Sequence, residues 1–166
     1  MTRILRLLRH LIEFSLVTRR RFPGRVLDRV EQAVGRAEGL HCGELRIVIE
    51  TDLDAAAILA GKNSRDRALE VFAATGVWDT ELNNGVLLYV LCADRRVELV
   101  ADRGFNELVT AAEWRGACAA MEQAFKAGRW EDGLLAGIDA VASLLSRHFP
   151  GTGRNGNELP DRPILL

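Results

Sequence analysis

No apolar run in this chain approaches the roughly 20 residues that a membrane-spanning helix needs, so a transmembrane protein is not expected. Cysteine is scarce, with three residues and no CxxC spacing, which excludes a disulfide scaffold and a zinc ribbon. Cys42, Cys92 and Cys118 fall in apolar runs and are read as buried free thiols, a usage that suits a reducing compartment. Charge of one sign is also lacking: the net value is −1, so no broad field recruits nucleic acid. His10, His41 and His148 lie far apart and read as solvent-facing or helix-end residues. There is no GxSxG elbow, Walker A loop or HExxH pair. Gly35, Gly39 and Gly43 precede a strand, whereas a dinucleotide fingerprint would follow one. The first residues do not read as a signal peptide, because arginines interrupt the apolar stretch and no small-residue cleavage site follows. A cytoplasmic protein is the expectation.

What is present is unevenly distributed. Residues 1–21 hold six arginines against Glu13, a charge of +5 on an otherwise acidic chain. Between Arg3, Arg6 and Arg9 stand Ile4, Leu5, Leu7, Leu8, Leu11, Ile12 and Leu16 at helical spacing. This predicts one basic amphipathic helix over residues 3–17. Two readings compete for it. Its apolar face packs on the domain or on a second copy, or it makes a peripheral contact with an anionic membrane through residues 3–21.

Phe22-Pro23-Gly24 breaks the chain and opens a helix that runs to about Ala37. Glu44–Thr51 alternates as a strand, and residues 52–62 read as a loop or short helical turn. Ser64 is the expected cap of a helix over residues 65–75. Asn83-Asn84-Gly85 is a turn before the most apolar stretch, Val86–Cys92, which predicts a central strand covered on both faces. Ala93–Arg96 makes a tight turn into a second strand, Val97–Ala101. Helices follow over about 111–127 and 130–148. The chain from Gly151 shows no periodicity and is expected to be a flexible C-terminal tail. The fold class is therefore α/β: a three-layer α/β/α sandwich with a small mixed central sheet and helices on both faces. The expected parts are an N-terminal helix (1–21), one α/β domain (22–150) and the tail (151–166).

Four segments resemble the TPM domain family, named from a thylakoid lumen phosphatase, a photosystem II repair factor and a nematode membrane protein. They are Trp78-Asp79-Thr80 with Asn83–Leu88, then Asp94–Glu98, then Gly104-Phe105, and finally Phe125–Trp130 with Gly133-Leu134 and Gly137-Ile138. Asn157–Pro160 is similar to the ending of a bacterial branch without a membrane anchor. The resemblance implies a groove at the sheet edge that holds Ca²⁺ or Mg²⁺ on acidic and amide side chains, and some members are described as acid phosphatases. The matching positions are Asp79, Asn83, Asn84, Asp94, Asp102 and Glu113, with Arg95 and Arg103 as anion-binding groups. This chain departs from the pattern at Asn83, Asp102, Asn106 and Ala111, with a net loss of acids. Each candidate also has a plain structural use as a cap or turn former.

Two functions from different classes follow. One is a non-catalytic binding or assembly module with an unknown protein partner, placed in the cytoplasm or peripherally at the inner membrane. The alternative, implied by the resemblance, is a Ca²⁺- or Mg²⁺-dependent acid phosphatase-like hydrolase with Asp79, Asp94 and Asp102 around the ion and Arg95 or Arg103 on the phosphate, its catalytic group unknown. Neither reading involves nucleic acid.

Overall fold

A mixed sheet with strand order β3-β2-β1-β4 runs through the middle of the computed structural model, which describes residues 3–13, 15–151 and 157–166. β1 (Glu44–Glu50) and β2 (Gly85–Leu91) pair in parallel, from Glu44 opposite Gly85 to Glu50 opposite Leu91. β3 (Arg96–Ala101) returns antiparallel to β2 across the predicted hairpin. Every residue of β1 and β2 is buried, as a strand covered on both faces requires.

Side chains alternate across a strand, so each strand feeds two cores. Leu45, Ile47, Ile49, Val86, Leu88 and Val90 face α3 (Gly24–Glu38), α6 (Ala111–Lys126) and α7 (Trp130–His148). Val48, Leu87, Tyr89 and Leu91 face the other side, where α4 (Ala55–Leu59) and α5 (Ser64–Ala74) pack. This is the expected three-layer sandwich. α5 is capped one residue earlier than expected: Asn63 accepts from the Asp66 amide, and the Asp66 carboxylate returns to the Asn63 amide. Asn is as good a cap as Ser, and the reciprocal acid three residues on decides between them.

Two expectations need correction. Residues 151–166 were expected to be a flexible tail; of these, 152–156 lie outside the described residues, but β4 (Ile164–Leu165) pairs in parallel with Val48 and Ile49 at the free edge of β1. The buried Arg46 guanidinium donates to the carbonyls of Pro160 and Arg162, and the Leu159 amide donates to Glu44. Two residues of strand directly after Pro163 carry no periodic signal, so only the open edge of β1 reveals them. The single helix predicted at residues 3–17 is two helices, α1 (Arg3–Ile12) and α2 (Ser15–Arg21).

Below β1, Glu38 accepts the Leu45 amide at 3.0 Å and lies beside Glu44 and Asp161. Burial, then the neighbouring carboxylates, push its carboxyl from 4.5 up to about 8. The folded state therefore keeps a proton that the unfolded chain releases. Stability is full below pH ~4.5 and falls as pH rises towards about 8. Because Glu38 is only partly buried, the expected loss is modest, about 1–2 kcal/mol. Denaturation at pH 5 and pH 9 checks this. Glu38→Gln should flatten the difference, and an unchanged slope in that variant would assign it elsewhere.

Candidate functional site

The residues singled out in the sequence divide between the two ends of the β2–β3 hairpin. At the end where β2 begins, Asn83 takes a left-handed backbone (φ 53°) and its carbonyl accepts the Gly104 amide at 2.9 Å. The Asn83 side-chain oxygen accepts from Arg103 Nε at 2.6 Å. Asn84 is fully buried: its amide donates to Thr80 Oγ1 and its Nδ2 to the Cys42 carbonyl. Asp102 donates its backbone amide to the Gly85 carbonyl, and its Oδ1 accepts the Arg103 amide at 2.7 Å. Asn84 Oδ1 and Asp102 Oδ2 are buried acceptors without a hydrogen-bond partner. Such oxygens are costly unless something donates to them or coordinates them.

Asp79 is exposed on the preceding loop. Glu113 does not join this group; it closes a capping box on Thr110 and pairs with Arg147 at 2.7 Å. Asp94 and Arg95 lie at the opposite end of the hairpin, roughly 20 Å away by strand rise. The fold thus brings together Asn83, Asn84, Asp102 and Arg103, and does not bring Asp94 or Arg95 to them. Among the described residues, no three His, Cys, Asp or Glu side chains gather as a metal cluster.

The far end of the hairpin is covered by the N-terminal arm. Asp94 Oδ2 receives Arg6 Nε at 2.8 Å, and its Oδ1 lies 3.2 Å from His10 Nε2. Burial opposes ionisation of Asp94, but His10 and Arg6 outweigh it and hold the carboxyl down at about 2. The Leu53 amide donates to His10 Nδ1 at 2.9 Å, so the ring carries its proton on Nε2 towards Asp94. His10 is 4% exposed and His41 1% exposed, so neither faces solvent, although His10 does lie in the last turn of α1 as a helix-end residue. Both accept burial because a backbone group satisfies one ring nitrogen, in His41 the Gly43 carbonyl.

The arm also packs by the side opposite to the one its pattern suggested. At 100° per residue, Arg6, His10 and Leu7 share the inward sector. Ile4 and Ile12 remain 71% and 69% exposed, and Leu5, Leu8, Leu11 and Leu16 are also exposed. Asp94, the Leu53 amide and the Lys62 carbonyl supply polar partners that an apolar face could not use. α2 is held by its Arg21 guanidinium, 4.4 Å above the Trp130 ring, which in turn stacks on Phe125.

A buried network on the α5 face escaped the sequence reading. Glu50 accepts from Tyr89 Oη at 2.5 Å and takes a two-pronged contact from Arg67 at 2.9 Å. One signal pointed to it: a tyrosine inside an apolar strand must find a partner for its hydroxyl. Cys92 is buried and its thiol is pushed up to about 12 by burial, while Cys42 and Cys118 are half-buried.

The TPM domain family matches residues 24–144. The NMR structure of the BA42 protein from the psychrophilic bacterium Bizionia argentinensis is similar, at 28% identity and a TM-score of 0.74. The alignment covers 86% of this chain and 93% of that one. No curated protein matches.

Proposed function

The chain belongs to the TPM domain family, and on that footing we propose a non-catalytic binding module that docks on an anionic membrane surface through its N-terminal arm. The observation that carries this reading is the orientation of α1. Its polar face is spent on Asp94 and Leu53, which leaves Ile4, Leu5, Leu8, Leu11 and Ile12 facing outwards. Arg9, Arg19 and Arg20 are exposed beside them. Each arginine near an anionic surface is worth about 1 kcal/mol, added to the burial of the leucines. A second copy is a poorer occupant. The outward face of α1 is a strip roughly 15 Å by 10 Å, well short of the ~800 Å² per partner of a stable interface. No described helix is long and apolar enough to cross a membrane, so the contact would be peripheral.

Sedimentation with phosphatidylglycerol vesicles tests this. The protein should pellet with them, less so at high salt, and Leu8→Ser with Leu11→Ser should weaken binding at least tenfold. Equal pelleting of that variant would end the reading. A concentration-dependent dimer in light scattering, lost in the same variant, would assign the face to a second copy.

The unpartnered Asn84 Oδ1 and Asp102 Oδ2 favour a second reading, the metal-dependent phosphatase-like hydrolase. Each is a hard oxygen donor of the kind that Ca²⁺ or Mg²⁺ takes, and Asp102 carries the one negative charge of the two. When bound, such an ion would supply charge stabilisation to a phosphoryl oxygen. Arg103, which donates to Asn83 beside them, is the anion-binding group on that end. Titration with millimolar Ca²⁺ or Mg²⁺ should then give saturable ¹⁵N–¹H shifts at Asn84 and Asp102, abolished by Asp102→Asn. Absence of shifts at either residue would remove the hydrolase.

A further inference from the structure

We propose that the groove between α1, the start of α5 and the β2–β3 turn is a binding site for a phosphate-bearing anion. The groove holds about 810 Å³ and is open to solvent along one side. Six cationic side chains line it against two acids, Asp94 and Glu98, a formal excess of four positive charges. The chain outside the arm is net acidic, so this concentration runs against the average of its surface.

The cations are not all spent on protein partners. Arg6 is committed to Asp94, Arg65 to the Leu99 carbonyl and Arg96 to Glu122. Arg95 makes no ion pair with any described residue, and Lys126 has only a loose 4.0 Å contact with Glu122. Arg95 is also held at φ 51°, a left-handed conformation that a non-glycine residue adopts at a cost. The turn therefore presents a guanidinium whose charge the protein leaves unanswered.

A second feature of different origin points the same way. Asn63, Ser64 and Arg65 line the groove where α5 begins. The positive dipole end of this eleven-residue helix lies beside the same space, with the Asn63 and Asp66 amides taken by the capping box and the Ser64 hydroxyl donating to Glu98. A helix start combined with guanidinium forks suits phosphate better than a carboxylate, because several donors converge on a tetrahedral dianion.

Phosphate could arrive on a soluble phosphomonoester or on a lipid headgroup. Arg9 lies on the rim shared by the groove and the exposed apolar face of α1. The lipid form of the proposal rests on membrane docking, whereas the anion site stands without it.

The test uses the full chain with inorganic pyrophosphate, and separately with phosphatidylcholine vesicles carrying phosphatidic acid. Pyrophosphate should give saturable amide shifts at Ser64, Arg95 and Lys126. Arg95→Ala with Lys126→Ala, both at exposed positions, should weaken this at least tenfold while Leu8→Ser with Leu11→Ser leaves it unchanged. If phosphatidic acid vesicles then capture the protein better than phosphatidylcholine alone, and the arginine–lysine variant loses that preference, the headgroup is the ligand. If only pyrophosphate binds, the ligand is a soluble phosphoester and membrane docking fails alone. No shifts, or shifts that the arginine–lysine variant retains, would overturn the site.

Discussion

Arg67→Met should destabilise the domain by about 3 kcal/mol, the lower end of the range for stranding one partner of a buried pair. Glu50 sits at the end of β1 with its side chain 10% exposed, and Arg67 covers it from α5 with two nitrogens. Without the guanidinium, the carboxylate keeps only the Tyr89 hydroxyl, and water reaches it poorly. Arg67 itself is about one-third exposed, which places the cost below the top of the range. Guanidinium denaturation reads the loss directly. The double variant Arg67→Met, Glu50→Gln should recover much of it, since a neutral amide still accepts from Tyr89 and leaves no buried charge. A single-variant loss under ~1 kcal/mol, typical of exposed pairs, would mean that Glu50 is solvated and that α5 is held by apolar contacts alone.

Gly85→Ala should cost a similar amount, about 3 kcal/mol, for a different reason. An added Cβ would collide with the Val77 carbonyl oxygen, which is backbone, and lie 2.9 Å from Val77 Cγ1. Neither the first residue of β2 nor the loop before it can yield without moving Asn84 and the Asp102 amide that donates to Gly85. Overpacking against backbone belongs at the upper end of the usual 1–3 kcal/mol. Gly116→Ala is the control: nothing lies within 4 Å of the new methyl in the middle of α6. Alanine there should raise stability by up to ~1 kcal/mol. A Gly85→Ala variant as stable as the parent would show that Val77 does not press on the strand.

The strands and long helices were legible because their signals are local. The VLLYVLC run could only be a strand covered twice, and the 3.6-residue rhythm of α3, α6 and α7 marks the face each turns to the sheet. β4 was not legible, since its order comes from Arg46 and the edge of β1, both remote in sequence. The candidate site was half legible. Asn83, Asn84, Asp102 and Arg103 do meet, because the turn before β2 and the end of β3 are hairpin neighbours. Asp94 looked equivalent in composition but belongs to the other end of the same hairpin.

By itself the sequence determined the order of elements, the two-sided sheet, the family pattern and the basic amphipathic character of the arm. Periodicity, turn chemistry and charge are properties of neighbouring residues, so a linear reading contains them. The tertiary structure alone decided which face of the arm turns inwards. Hydrophobicity would have buried the leucines, but the partners waiting on the domain are a carboxylate, an amide and a carbonyl. Those groups come from three separate parts of the chain, and buried polar groups must be paired before apolar area is counted.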